Sequence, residues 1–236
     1  MKHHFSSISA AVFLLAACMV FLASGSAMGA GFALIEQSAT GLGNAYAGGA
    51  AIAEDPSTIF FNPAGMTRLN GQQAAVAAHV VMPSAKFTNE GSTYVLQPVT
   101  GMPLLGDNGG DGGVTKVIPN AYYTAKFGDR LVLGVGISVP FGLATEYDST
   151  WVGRYYAITS DMLTVNINPS VGIKLTDQLS IGAGLNLQSI KAKLYNAIDF
   201  GTLDAVGAFK ALGLSAGALN LKPQGSDGYV NLKGDS

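Results

Sequence analysis

The sequence predicts an all-β chain, an antiparallel transmembrane β-barrel wall preceded by an N-terminal hatch. Three observations predict it. First, apolar residues alternate with polar or tiny ones over long runs. The clearest sets Leu163, Val165, Ile167, Pro169, Val171, Ile173 and Leu175 against Thr164, Asn166, Asn168, Ser170, Gly172 and Lys174. A period of two marks a strand with one apolar face. The run is about twice the 5–6 residues usual in soluble sheets and suits the roughly 9–11 that cross a bilayer. Second, the opposite face carries Gly, Asn, Ser and Thr instead of the Lys and Glu of a water-facing sheet. Third, connections alternate in length. Gly128-Asp129-Arg130 and Thr176-Asp177-Gln178 are hairpin turns, whereas 87–118, 142–161 and 195–228 are long. Short turns on one side and long loops on the other are the asymmetry of outer-membrane barrels.

Composition agrees and excludes other classes. Of 236 residues only 12% are charged, against about 25% in ordinary soluble domains. There are 31 glycines, 48% hydrophobic residues and a mean hydropathy of +0.32, which excludes a disordered segment and argues against a helical bundle. A net charge of −2 gives no reason to expect a nucleic-acid partner. The one cysteine is Cys18 and the histidines are His3, His4 and His79. Once the first segment is removed, no Cys and a single His remain, so disulfide scaffolds, Cys/His zinc sites and cysteine nucleophiles are excluded. A Ser-His-acid triad would have to use His79, and nothing near it resembles a nucleophile elbow. The expectation is a non-enzyme without catalytic residues, metal or cofactor.

In chain order, residues 1–29 read as a signal peptide. Lys2 precedes an apolar stretch from Ala10 to Ala23, and Ala27-Met28-Gly29 places cleavage before Ala30. Leu15-Ala16-Ala17-Cys18 resembles a lipoprotein box, but Met19-Val20-Phe21-Leu22 would leave an apolar tail after the lipidated Cys. Residues 30–70 do not alternate and form the expected hatch. The glycine-rich run there lacks a nucleotide-binding fingerprint, since Tyr46 stands where Gly is needed. Residues 71–236 form the barrel portion, with strands in 72–86, 121–127, 131–141, 163–175 and 179–188 and the start of a sixth at 228–232. About six strands do not close a barrel, since such barrels begin at eight; the expectation is the N-terminal part of a longer protein. Asp107-Asn108-Gly109-Gly110-Asp111-Gly112-Gly113 hints at calcium, but Ile118 occupies the position of the required Glu, so a flexible loop is expected.

Several motifs resemble the FadL/TodX family of outer-membrane transporters of long-chain fatty acids and hydrocarbons. They are Ala30-Gly31-Phe32-Ala33-Leu34, Gly41-Leu42-Gly43-Asn44-Ala45-Tyr46-Ala47-Gly48, Ala53-Glu54-Asp55-Pro56 and Asn62-Pro63-Ala64-Gly65-Met66, then Pro140-Phe141-Gly142-Leu143-Ala144-Thr145-Glu146-Tyr147, Trp151-Val152-Gly153-Arg154-Tyr155 and Asn166-Ile167-Asn168-Pro169-Ser170-Val171, in order from Ala30 to about Lys193. The resemblance implies a fourteen-stranded barrel closed by a hatch in the outer membrane of a Gram-negative bacterium, monomeric when full length. Its implied partners are a long-chain fatty acid or other hydrophobic small molecule, with outer-membrane lipids and lipopolysaccharide around it. Transport would be passive: capture between loops, a pocket touching the hatch, and lateral exit through a kink in the third strand. Aromatic hydrocarbon uptake and a structural or adhesive barrel without transport are the alternatives.

The resemblance and the residues together assign candidate sites. Phe32 and Leu34 open the hatch, and Phe32 resembles the residue that reaches the family's ligand pocket. Asn62, Pro63 and Ala64 match a hatch motif that a proline-fixed turn explains equally well. Pro140, Phe141 and Gly142 fall where a kink is expected, because proline cannot donate to a ladder and glycine packs nothing. In the loop 195–228, Thr202 could cap a short helix presenting Leu203, Val206 and Phe209 to a greasy ligand. Lys191 aligns loosely with a basic family position for the ligand carboxylate, although its parity with Leu185 and Leu187 puts it on the lipid face unless a bulge intervenes.

Overall fold

The computed structural model describes residues 32–205, Gly207 and 222–236, so the expected signal peptide lies outside the described residues. One antiparallel sheet is built from β1 (Gln72–Val81), β2 (Lys116–Phe127), β3 (Leu131–Ser138), β4 (Gly142–Glu146), β5 (Thr159–Lys174), β6 (Ser180–Gly184), β7 (Leu187–Asp199) and β8 (Asp227–Asp235). The order is β1-β2-β3-β5-β7-β8, with β4 and β6 also on β5. β3 and β4 lie end to end along β5, as do β6 and β7, so eight segments make the six strands expected. The β6–β7 break has a simple cause. Leu185 donates to the Pro169 carbonyl at 3.0 Å, and proline has no N–H to return.

The two faces are those of a membrane barrel. On β5, Ile167 is 45% exposed while its neighbour Asn166 is 4% exposed. Leu131, Leu133, Val135 and Ile137 of β3 share the outward face, and Thr164, Asn168 and Ser170 are buried on the inner one. A water-soluble sheet would bury the opposite set. Among the described residues no helix is long and apolar enough to cross a membrane; the strands carry the apolar band. Below it, Gly128 makes the β2–β3 turn at φ +65°, a left-handed conformation that favours glycine. At the other hairpin, Thr176 Oγ1 accepts from the Gln178 and Leu179 amides.

Except for β1, which ends at Val81 and not at the expected 86, the strands run further toward the long loops than expected. β2 begins at Lys116, β4 occupies 142–146, β5 starts at Thr159 and β7 extends to Asp199. Apolar alternation marks only the lipid-facing stretch. Beyond it the outward residues become Asp161, Lys191 and Lys193, and the sequence signal fades while the ladder continues.

Before β1, three single-turn helices (Ala39–Leu42, Gly49–Ile52, Thr58–Phe61) and a 3-10 helix (Pro63–Arg68) lie against the inner face. Ile59 and Met66 join Tyr122 and Val132 in the buried core, with Phe60 against them. Burying an Ile or Met side chain stabilises by about 1.5–3 kcal/mol. Gly134 permits the approach: a Cβ there would stand 2.5 Å from Met66 Sδ and 2.8 Å from Ile59 Cδ1. Asn62 Oδ1 caps the 3-10 helix by accepting from the Ala64 amide, with Pro63 at its start.

The long loops interlock. Trp151 stacks on Tyr147 at 4.2 Å and meets Phe87 edge-on at 5.4 Å. Arg154, 5% exposed, pairs with Asp227 at 2.9 Å and donates to the Leu105 carbonyl at 2.7 Å. The 107–113 segment is pinned where a flexible loop was expected. Asp107 accepts from the Gly109 amide and the Thr150 hydroxyl, and Asp111 from Ser84 and the Ala85 and Gly113 amides. The helix Phe200–Ala205 is capped by Asp199, which accepts from the Thr202 amide at 2.9 Å, and not by Thr202 as expected. Aspartate three residues before the donating amide is the stronger cap.

Candidate functional site: a lateral window filled by the N-terminal segment

The sheet has an opening between β2 and the β3–β4 strand. Pairing runs from Phe127↔Leu131 up to Ala121↔Ile137 and stops. It resumes only at the Gly113↔Thr145 bridge, where Glu146 donates to the Gly112 carbonyl at 2.9 Å. Residues 114–120 and 138–144 therefore frame a window in the wall.

Two prolines account for it. Lys126 of β2 donates toward β1, to Gly71 at 3.0 Å, and backbone groups alternate sides along a strand. Pro119, seven positions earlier, thus occupies a place that faces β3 and has no N–H to offer it. On the other frame, the β3–β5 pairs Leu131↔Ile173 to Ser138↔Asn166 give way to Gly142↔Leu163, a shift of one residue. Val139, Pro140 and Phe141 stand opposite Thr164 and Val165, a β-bulge at a residue that cannot donate. The Thr164 amide and hydroxyl both donate to the Phe141 carbonyl, which turns Pro140 away from β5.

The N-terminal segment occupies the window. Leu34 donates to the Pro140 carbonyl at 3.0 Å and Gly142 to the Phe32 carbonyl at 3.2 Å, forming an antiparallel Ala33↔Phe141 bridge. The Phe32 ring meets Phe141 edge-on at 6.3 Å. On the β2 side, Asn120 Nδ2 donates to the Glu36 carbonyl at 2.7 Å. Between them Gln37 is fully buried, its amide donating to the Leu34 and Val139 carbonyls at 2.8 and 3.1 Å. Tyr122 Oη donates to Gln37 Oε1 at 3.3 Å. The segment is thus held to both frames, mostly by single hydrogen bonds worth about 0.5–1.5 kcal/mol each.

Behind the window lies a cavity of about 360 Å³ between the hatch and the inner wall. Ile59, Phe60 and Pro63 form its hatch side, Ser138 and Pro140 its window side, and Asn166 belongs to a polar floor. Asn166 and Asn168 both donate to Asn186 Oδ1, at 2.9 and 2.6 Å. Such a cavity offers apolar surface and amide groups together, the lining that suits an amphipathic small molecule. In the hatch, burial pushes the Asp55 carboxyl up, but hydrogen bonds from Ser57 and Thr40 outweigh it and leave it below its ordinary value.

The structure brings Phe32, Leu34, Pro140, Phe141 and Gly142 together at the window, and Pro63 lines the cavity with Pro140. Ala64 lies against Gly182, away from the window. Lys191 stands elsewhere: it pairs with Leu163 on the outward face, as its parity indicates, and does not line this cavity. Leu203 is part of the loop helix, while Val206 and Phe209 lie outside the described residues. Sequence reasoning missed Gln37, Asn120 and Pro119. Only Pro119, a proline inside a strand run, carried a local signal.

Comparison with known proteins fits this architecture. A family model described as "Outer membrane protein transport protein (OMPP1/FadL/TodX)" matches residues 20–236. "Outer membrane protein P1" of Haemophilus influenzae is 33% identical over 186 residues, covering 77% of this chain and 40% of that protein. "Long-chain fatty acid transport protein" of Escherichia coli K12 is 33% identical over 190 residues, covering 80% and 40%. The crystal structure of a Pseudomonas aeruginosa FadL homologue has the same fold, with a TM-score of 0.65 at 24% identity over 88% of this chain and 47% of that one. The chain spans about 40% of the length of the two sequence relatives. With the family match running from before the hatch to the last residue, and with lipid-facing strands behind that hatch, the chain belongs to the FadL/TodX family and is an outer-membrane protein of Gram-negative type.

Proposed function

We propose that this chain is part of a passive transporter that carries hydrophobic compounds, foremost long-chain fatty acids, across the outer membrane. A ligand caught among the interlocked loops would pass to the cavity beside the hatch and leave sideways between β2 and β4 when residues 32–37 withdraw. The observation that carries this reading is the window, framed by Pro119 and Pro140 and occupied by a segment bonded to both frames. A purely structural barrel has no use for a wall opening, whose unpaired backbone groups are costly in lipid. The relative named a long-chain fatty acid transport protein favours fatty acids over aromatic hydrocarbons. No step of this path needs a catalytic group, and the chain acts as a transporter, not an enzyme.

The test is uptake of a labelled long-chain fatty acid by cells expressing the full-length protein with Gly142→Trp. A Cβ at Gly142 would already approach Leu34 Cδ1 to 3.2 Å, so an indole there should obstruct the window. Uptake should fall at least tenfold at unchanged surface abundance. Undiminished uptake would remove the lateral exit, and no uptake by the wild type over an empty vector would remove transport.

A further inference from the structure

Above the apolar band, the outward face of β5, β7 and β8 changes character abruptly. Leu163, Val165 and Ile167 give way to Asp161 on β5, and Leu187 to Lys191 and Lys193 on β7. Lys193 stands directly opposite Lys233 of β8, and Lys191 opposite Asp235. Lys116, reaching from β2, binds Asp161 at 2.7 Å. All six residues line one shallow concavity of about 470 Å³, which holds four lysines against two aspartates. Further from the band, Tyr195 stacks at 5.5 Å on Tyr229, its diagonal neighbour on β8, the aromatic placement of a membrane boundary.

The Lys193–Lys233 pair is the anomaly. Like charges directly opposite on one face of a sheet destabilise it, and the repulsion grows beside lipid, where the effective dielectric falls. Asp161, the natural counter-charge for Lys193, is already engaged by Lys116. Among the described residues, Lys191, Lys193 and Lys233 make no ion pair. An anion between the two ammonium groups would turn repulsion into two charge-assisted hydrogen bonds. On a barrel's outward face, just beyond its apolar band, the neighbours are lipid headgroups.

We infer that Lys193 and Lys233, assisted by Lys191, form a binding site for a phosphate of an outer-leaflet glycolipid. Two lysines on adjacent strands have Cβ atoms about 4.5–5.5 Å apart, a spacing that lets both ammonium groups reach oxygens of one phosphate. The acyl chains then lie down the face over Leu163, Leu187 and Val165, and the tyrosine pair meets the sugar. Lys116 is left to Asp161 and the window frame. This site rests on the outward face alone and stands whether or not the lumen carries fatty acids.

The test is native mass spectrometry of the purified full-length protein in detergent, titrated with short-chain lipopolysaccharide. The same lipid with its phosphates removed and inorganic phosphate as competitor complete the set. The wild type should retain one lipid, and K193Q/K233Q should bind it at least tenfold more weakly while keeping heat-modifiable migration, which reports an intact barrel. The dephosphorylated lipid should bind the wild type as weakly as the variant binds the intact lipid. Equal retention by variant and wild type would overturn the site, as would equal binding of the dephosphorylated lipid. Displacement by millimolar inorganic phosphate would overturn the assignment to a lipid. Should the double variant lose the barrel signature, K193Q alone, with a smaller loss expected, carries the same comparison.

Discussion

The Leu34 amide donates to the Pro140 carbonyl at 3.0 Å, so the N-terminal segment is bonded to the very residue that interrupts the third strand. The same proline breaks the wall and supplies the acceptor that fills the break. The backbone groups of Phe141 are turned to Thr164 of β5, so those of Pro140 face the window, where it offers a carbonyl and no N–H. The N-terminal segment is held in the window by few contacts.

Enlarging Gly134 should dislodge the hatch and spare the barrel. A side chain there enters the space of Met66 Sδ and Ile59 Cδ1. For Gly134→Leu we expect a loss of about 1–3 kcal/mol from overpacking. Limited proteolysis should find new cleavage within residues 39–68, with heat-modifiable migration unchanged; a protected hatch would contradict the packing described.

The Arg154–Asp227 pair should hold the loops together. Both side chains are largely buried, and Tyr155 Oη adds a bond to Asp227 at 2.9 Å. Removing one partner of such a pair costs about 3–5 kcal/mol because the other charge is left uncompensated. Arg154→Met should lower the temperature of loop opening, read by hydrogen exchange at Leu105 and the 222–226 segment. Arg154→Met with Asp227→Leu should recover part of that loss.

Acid should loosen one loop contact in a defined range. The Ser84 hydroxyl, then the Ala85 and Gly113 amides, hold the Asp111 carboxyl down to about 2 from its usual 3.8. A depressed value means the contact favours the ionised form. Its contribution is complete above pH 4 and disappears as pH falls from about 4 toward 2. Exchange protection of the Ala85 amide should follow that course, and Asp111→Asn should abolish the pH dependence.

The sequence disclosed the barrel wall where physics repeats itself. Along 131–137 and 163–175 every second residue meets lipid, so the alternation reports the environment directly. It fell silent at Thr159–Asp161 and Lys191–Asp199, where the strands rise past the apolar band and the outward residues become charged. Pro140 stood out in the sequence because proline acts locally, and the register shift along β5 falls there. The window was not legible, because it needs Gln37, the adjacent Pro119 and Asn120, and Val139 from three separate stretches of chain. The inner glycines were visible as small residues. That Gly134 admits the hatch depends on Met66, far away in sequence.

The most direct test of the window is a reversible bond that ties the N-terminal segment to its frame. Ala33 and Phe141 are bridge partners, a spacing that accepts a disulfide, and Cys18 is the only native cysteine of this chain. Full-length protein carrying Ala33→Cys and Phe141→Cys should take up labelled fatty acid when reduced, lose at least tenfold of that uptake when oxidised, and recover it with reductant. Full uptake by a quantitatively cross-linked protein would contradict release of the N-terminal segment as the opening step.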